Sequence, residues 1–345
     1  MRKNLFGALG AALLAVSAAG TEARSDDFYK GKSIQLIIAT GPGAAYDFFG
    51  RLVARHIGRF IPGEPTVTAQ NMPGASGFRA ANYLFNVAAK DGTVLGTFNN
   101  AIAFYQAVEQ PGIQYRAEEF SWIGSVPQDT PLVAVRSSTG VKTIEDAKKI
   151  EVAMGATGAG GNFAGHVALL NSLLGTKFKI VTGYDSGASI NLAIERGEVS
   201  GKANTTWPAY KSMTPEWVKE GKIIPLVQFG FKKDPDLPSV PLLTELAADD
   251  AQRRIFELVA STSAIGQPFA APPKIPEDRL RVLRTAFESS VRDNAFRAEA
   301  GKVSGQTSME PTSGSELAAM VQRTVSTPSA LAERVRQAMR VKRAK

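Results

Sequence analysis

Ile34-Gln35-Leu36-Ile37-Ile38-Ala39 runs into Gly41-Pro42-Gly43-Ala44-Ala45 and then into a periodic stretch carrying Phe49, Leu52, Val53, His56, Ile57 and Phe60. The apolar run reads as a buried strand and the small residues as a loop. The six residues that follow fall at i, i+3, i+4, i+7, i+8 and i+11, one stripe of an amphipathic helix. Arg51, Arg55 and Arg59 occupy another stripe. A loop of this kind joins the carboxyl end of a strand to the amino end of a helix. Unpaired backbone N–H groups and the positive end of the helix dipole face the same space there, and an anion can be held by them. Glycines that merely let the chain turn tightly are the plainer reading, and this stretch alone does not choose between the two.

Two glycine motifs with defined chemistry are excluded. A P-loop needs Lys followed by Ser or Thr where Tyr46-Asp47 stand, and a dinucleotide fingerprint wants a third Gly at Tyr46. Repetition favours a binding role. Thr66 to Gln70 alternates like a short strand and is followed by Asn71-Met72-Pro73-Gly74-Ala75-Ser76-Gly77 and a helix through about Ala88. Thr93 to Phe98 is a third strand, with Asn99-Asn100 heading another helical segment. Strands alternating with helices through short polar loops predict an α/β protein with largely parallel sheets covered on both faces.

The style repeats further on. An extended segment around Phe120 to Val126 and a strand over Leu132 to Val135 flank a crossover, and Thr143 to Asp146 has capping-box-like spacing. Strand Glu151 to Met154 then leads into Gly155-Ala156-Thr157-Gly158-Ala159-Gly160-Gly161-Asn162 and a helix with Phe163, Val167, Leu170 and Leu174 on one side. Strand Phe178 to Thr182 leads through residues 183–189 into a helix stopped by Gly197. Beyond Ile223 to Phe229 lies a Pro-rich stretch at 234–241, and a helix near Ala251 to Val259 and a strand near Thr262 to Gly266 are expected after it. The rest is helical and too poor in strands to cover itself, so it should pack back on the first unit.

At 345 residues the chain is long enough for two domains, each with its own core. Arg2 and Lys3 precede a short apolar stretch from Leu5 to Ala19 that ends in small residues, the layout of a secretory signal peptide over residues 1–24. A single-pass anchor is the competing reading, but the stretch is short and holds Gly7, Gly10 and Ser17. Without Cys there is neither a lipid-modified N-terminal Cys nor a disulfide framework. The formal net charge of +8 is concentrated in part in the tail, at Arg334, Arg336, Arg340, Lys342, Arg343 and Lys345. No aromatic-basic interleaving accompanies it, so nucleic acid is not the expected partner.

Catalytic chemistry has little to stand on. Of the two His, His56 lies in the apolar stripe, as a hydrogen-bonded core or boundary residue would, and His166 is one turn into the helix after the third loop. There is no HExxH pattern, and Ser76 and Ser186 lack the flanking glycines of a nucleophile elbow. Asp47 suits a helix start, with Arg51 four residues on, as well as it suits a ligand. Backbone donors alone suffice for binding. At roughly 1.5–3 kcal/mol for each hydrogen bond to a charged group, three or four supply the ~8 kcal/mol of micromolar affinity.

Lys32 to Ile38 with GPGAAYD, the Gln-Asn-Met-Pro-Gly-Ala-Ser-Gly loop, Lys90-Asp91-Gly92-Thr93 and the GATGAGGNFAGH segment resemble the Bug-type receptors of tripartite tricarboxylate transporters, in order, from about residue 28 to the C-terminus. That resemblance implies a two-lobed type II periplasmic-binding-protein fold, each lobe a sheet flanked by helices, with two crossovers near residues 123–130 and 225–265. Lobe I would comprise 25–125 and 260–345, and lobe II 126–259. It also implies a periplasmic monomer that grips a small organic carboxylate through loop backbones and bridging waters, without metal, cofactor or catalytic residue, and delivers it to membrane transporter subunits. The candidate binding residues are Gly43, Ala44, Ala45, Tyr46 and Asp47 in the first loop, Ala75, Ser76 and Gly77 in the second, and Asn99 and Asn100 in the next. Thr157, Gly158, Ala159, Gly160 and His166 follow in the third segment, and Tyr184, Asp185 and Ser186 in the fourth loop. Where the family often has Pro-Gly-Gly, this chain has Pro42-Gly43-Ala44, and its fourth loop is Tyr184-Asp185-Ser186-Gly187 where a Tyr-Lys-Gly type is usual. An exported enzyme using the same cleft, or a sensor without transport, remain the alternatives to a transport receptor.

Overall fold

The structure, a computed structural model, describes residues 28–341 apart from 44, 127–129, 159–160 and 305–308. The expected signal peptide lies outside the described residues. Strands β1 (Ser33–Ile38), β2 (Thr66–Asn71), β3 (Val94–Thr97) and β4 (Ser121–Val126) belong to one sheet. Strands β5 (Pro131–Arg136), β6 (Val152–Ala156), β7 (Phe178–Thr182), β8 (Gly201–Thr206) and β9 (Ile223–Gln228) form a second. The chain then returns to the first sheet with β10 (Gln267–Ala271) and the short β11 (Thr312–Ser313). Among the described residues the strand orders are β11-β4-β10-β3-β1-β2 and β7-β6-β8-β5-β9. The chain therefore passes between the sheets twice, as the sequence leads one to expect.

Both sheets are mixed, where the alternation of strands and helices suggests a largely parallel arrangement. β1 pairs in parallel with β2 and β3, but β10 enters between β3 and β4 and runs antiparallel to both. In the second sheet β6 is parallel to β7 and β8, while β5 is antiparallel to β8 and β9. A strand that arrives from the other sheet is not bound by the right-handed crossover that keeps βαβ neighbours parallel.

Helices α1 (Ala45–Ile57), α2 (Phe78–Asn86) and α3 (Ile102–Ala107) follow β1, β2 and β3. The apolar stripe of α1 is buried at Phe49, Leu52, Val53 and Ile57, and the chain tightens into a 3₁₀ turn at Gly58–Phe60. In the second unit α4 (Ile144–Ala147) opens on the expected capping box between Thr143 and Asp146. α5 (Asn162–Leu174) follows β6, α6 (Gly187–Glu195) follows β7, and α7 (Trp207–Met213) and α8 (Pro215–Lys219) follow β8. α5 is buried on more than the one side its spacing suggests, because it lies between the second sheet and a C-terminal helix.

The helix expected at 251–259 and the strand expected at 262–266 are one helix, α9 (Asp250–Ile265). Thr262 and Ile265 are β-branched, as strand residues often are, yet they fill the buried side of this helix. Gly266 ends it at φ +65°, and a Cβ there would stand 2.5 Å from the Val126 carbonyl oxygen, so only glycine lets the returning chain pass the outgoing one. α10 (Glu277–Arg292), α11 (Asn294–Ser304) and α12 (Gly314–Val325) pack on the first unit, but α13 (Ser329–Ala338) packs on α5 and α9.

Three apolar clusters hold these layers. One lies between the first sheet and α1, α10 and α11, around Leu36, Leu52, Leu283 and Phe287, and another on the outer face of the second sheet around Ile190, Ile194 and Trp217. The third is continuous from Ile37, Phe98 and Trp122 of the first unit to Val133, Val167 and Phe229 of the second. The two units thus share a core, where the chain length suggests two separate ones. α9, α12 and α13 supply the shared part through Phe256, Leu317 and Val335.

Candidate functional site

Register brings the loops together. Ile38 is level with Asn71 of β2 and Thr97 of β3, so the loops after β1, β2 and β3 leave the first sheet at the same edge. Ala156 is level with Thr182, and Gly155 with Lys202, so the loops after β6, β7 and β8 leave the second sheet together. Each of these loops ends at the amino end of a helix, where N–H groups lack helical partners.

Asp47, 5% exposed, fastens the first loop to the second. Its Oδ2 accepts the Gly43 N–H at 2.9 Å, and its Oδ1 accepts Asn71 Nδ2 at 2.7 Å and Arg51 Nε at 2.9 Å. Burial pulls its pKa upward, but the hydrogen bonds from Asn71 and Gly43 and the Arg51 guanidinium outweigh this and hold the carboxyl below its ordinary range. Three of its roughly four acceptor sites are taken by the scaffold. Asn71 Nδ2 also donates to the Thr40 carbonyl at 2.8 Å, so Asn71 braces both loops.

Ala44 lies outside the described residues, and Ala45 is the first residue of α1. In the second loop Ala75, Ser76 and Gly77 form a 3₁₀ turn, with Gly74 at φ +133°, Ala75 at +47° and Gly77 at +94°. Neither this turn nor the α2 start has a side-chain cap. Asn99 Oδ1 accepts the Ala101 N–H at 2.8 Å. The Asn100 N–H donates to Tyr46 Oη at 3.0 Å, which ties the start of α1 to the third loop of the first sheet. Burial raises the Tyr46 pKa, so the phenol stays neutral.

In the second unit Thr157 and Gly158 are half-buried beyond β6, while Ala159 and Gly160 lie outside the described residues. α5 starts after Gly161 without a side-chain cap. Its first residue, Asn162, accepts the Tyr105 hydroxyl from α3 at 2.9 Å on Oδ1, a bond that joins the two units beside the loops. A cavity of about 450 Å³ opens at this junction, lined among others by Phe104, Tyr105, Gly161, Asn162, Arg336 and Arg340.

His166 is 3% exposed and stacks on Phe229 with ring centroids 4.2 Å apart. Burial depresses its pKa to about 3, so the imidazole is neutral near pH 7. His56 bonds Glu299 through Nε2 at 2.8 Å, the boundary role its place in the stripe suggests. The fourth loop caps itself: Ser186 Oγ accepts the Ser189 N–H at 3.2 Å and Ser189 Oγ accepts the Ser186 N–H at 2.9 Å. Asp185 is exposed, and partial burial, with Glu198 close by, raises the pKa of the Tyr184 phenol. Behind this loop lies Lys202 of β8, 2% exposed, donating from Nζ to the Gly187 carbonyl at 3.2 Å.

The structure thus brings the first, second and Asn99-Asn100 loops to one edge and the third and fourth to another, with Tyr105 and Asn162 linking the edges. Sequence reasoning did not single out Asn71, Tyr105, Asn162 or Lys202. Asn71 and Asn162 stand inside the quoted loops and are recognisable as short polar side chains at loop ends. Tyr105 and Lys202 carry no motif. Among the described residues no group of three or more His, Cys, Asp or Glu is placed to hold a metal ion, and no helix is long and apolar enough to cross a membrane.

No family model matches the chain. Protein BugT of Bordetella pertussis is 26% identical over 285 residues, covering 80% of this chain and 82% of that protein. The UPF0065 protein in the gbd 5' region of Cupriavidus necator is 24% identical over 303 residues, covering 86% of this chain and 85% of that one. Three solved structures share the fold. A TctC solute-binding protein from Polaromonas superposes with a TM-score of 0.63 at 19% identity, covering 88% of this chain and 98% of its own. The periplasmic binding protein BugD reaches 0.65 at 18% identity, covering 90% and 98%. MatC from Rhodopseudomonas palustris, with bound malate, reaches 0.64 at 18% identity, covering 89% and 99%. The α/β fold of two helix-flanked mixed sheets is that of these solute-binding proteins.

Proposed function

We propose that this chain, a relative of the Bug-type proteins, is a solute receptor that captures a small organic carboxylate between its two units. The observation that carries the reading is the convergence of loops from both sheets on helix starts that lack side-chain caps, at Gly77 and Gly161. Such starts present N–H donors and a favourable dipole to an anion without a charged side chain. The candidate loops, 41–47, 71–77, 155–162 and 183–189, contain neither Lys nor Arg. Of the two carboxylates in them, Asp47 is already held by three protein donors, among them the Arg51 guanidinium, and Asp185 is exposed to solvent. The malate in MatC, a protein of the same fold, supports a carboxylate as the ligand class.

In this reading residues 1–24 direct export and are removed, and the mature protein works in the periplasm as a monomer. Residues 25–125 with 260–345 form one lobe and 126–259 the other. Ligand is handed to a membrane transporter of the tripartite tricarboxylate type, and the receptor performs no reaction. A thermal-shift screen of the mature protein against mono-, di- and tricarboxylates, followed by titration calorimetry with the best acid and its amide, tests it. A ligand at 100 times its Kd adds about 2.7 kcal/mol to stability. The amide of the gripped carboxylate should bind at least tenfold more weakly, because its –NH2 presents donors to donors. Equal binding of acid and amide, or conversion of the ligand, overturns the reading.

A further inference from the structure

α13 follows the helices of the first unit in sequence but is seated on the second. It packs on α5 and α9 and buries Ala332, Val335 and Ala338. Met339, its carboxyl cap, lies in a notch left by Gly165, the fourth residue of α5, where a Cβ would stand 2.6 Å from Met339 Cε. α9 is in turn tied to α5, because Gln252 Nε2 donates to the Leu173 carbonyl at 2.8 Å. These three helices form one packet, and α5 carries the third loop at its start.

Toward the first unit α13 is joined loosely. A cavity of about 150 Å³ separates it from the end of α3, between Val108 and Ala332. The cavity of about 450 Å³ lies beside this one and shares Val108, Glu333 and Arg336 with it. One ion pair spans the gap, Arg336 Nη1 to Glu109 Oε2 at 3.1 Å. Both side chains are exposed, so salt screens the pair and it holds weakly. Ser326, Thr327 and Pro328 link α13 to α12, which is packed on β4. Close-packed surfaces move together, whereas surfaces separated by voids have room to shift.

We infer that α13 is a strap that travels with the second unit when the units turn on each other, and that the gap against α3 is the room it swings through. Arg336 and Glu109 are its clasp. The chain then has a third, helical crossing at residues 326–328 besides the two that carry strands. This rests on the two-lobed part of the proposed function and moves α13 from the first lobe to the second, but it does not depend on what the receptor binds. A turn that brings the start of α5 toward the first-sheet loops changes the gap between α3 and α13, so the clasp bears on how readily the units close.

The test is spin-label distance measurement by pulsed electron double resonance on the full mature protein without added ligand. The chain has no Cys, so only introduced positions are labelled. Arg334→Cys on α13, Glu195→Cys on α6 and Thr285→Cys on α10, all at exposed sites, are combined in pairs. The 195–285 pair reports the spread between the units. The 334–195 distribution should be clearly narrower than that spread, and the 334–285 distribution as broad. Arg336→Glu, which sets like charges against Glu109, should move the 334–285 distance outward and leave 334–195 in place. Exchanging the charges, Glu109→Arg with Arg336→Glu, should bring it back. A narrow 334–285 distribution beside a broad 334–195 one assigns α13 to the first unit and overturns the strap. Any other order, three equal widths included, also overturns it, while a carboxylate receptor still stands. An unmoved 334–285 distance in Arg336→Glu overturns the clasp.

Discussion

Asp47 shows how much of a site is scaffold. Its carboxylate ends two helical residues into α1, yet all three recorded donors to it belong to the protein, so its charge shapes the loops and is shielded from an incoming anion. Asp47→Asn replaces one acceptor oxygen with a donor, which then faces either the Gly43 N–H or the Asn71 and Arg51 donors. A loss of roughly 2 kcal/mol in urea unfolding is expected, discounted for the half-exposed Arg51 partner, together with weaker ligand binding. From the sequence both an Asp–Arg pair and a ligand contact were open at Asp47, because i to i+4 spacing describes the helix surface and says nothing of Asn71, twenty-four residues on.

Lys202 gives a second prediction at this scale. Its unfolded pKa is 10.5 and its folded value about 7, so between those values the unfolded chain holds the extra proton. Stability therefore rises with pH across that window, while below pH 7 both states are protonated and the full penalty applies. Relative to Lys202→Met, wild type should gain on the order of 4 kcal/mol between pH 7 and 10.5. Urea midpoints of both proteins measured over this range check it. A flat difference would show that the ammonium stays solvated.

At the scale of elements, the strand-loop-helix units were legible because each pairs an apolar run with a helix-period stripe. β1, β2, β3, β6 and β7 lie where that pattern places them. β8 and β10 were not legible. β8 is Gly-Lys-Ala-Asn-Thr-Thr and β10 is Gln-Pro-Phe-Ala-Ala, polar or small sequences that take their extended form from neighbours on both sides. The missing β8 is also why Lys202 went unnoticed.

Two loop glycines that look alike in sequence separate here. Gly77 stands at φ +94° with Ala39 3.3 Å from its Cβ position, whereas Gly158 carries no positive φ and has open space around it. Gly77→Ala should lower stability by about 1–2 kcal/mol as well as weaken binding. Gly158→Val should leave the melting temperature within about a degree and weaken binding alone, by filling the approach to the N–H groups. Calorimetric melts paired with ligand titrations tell the two apart, and a folded, fully binding Gly158→Val would remove the third loop from the site.

For the whole molecule, the paired crossings at Val126 and Gly266 form the natural axis for one unit to turn on the other. Saturating carboxylate should reduce the radius of gyration in small-angle scattering. Tyr105→Phe removes the hydroxyl that reaches Asn162 and should widen the ligand-free particle while leaving the ligand-bound one nearly unchanged. Equal radii for wild type and variant without ligand would show that this bond does not bias the hinge.

The insertion of β10 between β3 and β4 carries a consequence for synthesis. These two strands of the N-terminal unit do not pair with each other, and the strand that joins them is made about 140 residues after β4. Until it emerges, the nascent first sheet has two open edges and no continuous ladder, so the early chain has no finished fold to settle into. A polypeptide that has to be threaded through a narrow channel before folding gains from such an arrangement. The late strand leaves β3 and β4 without the partner they share until most of the molecule has been made.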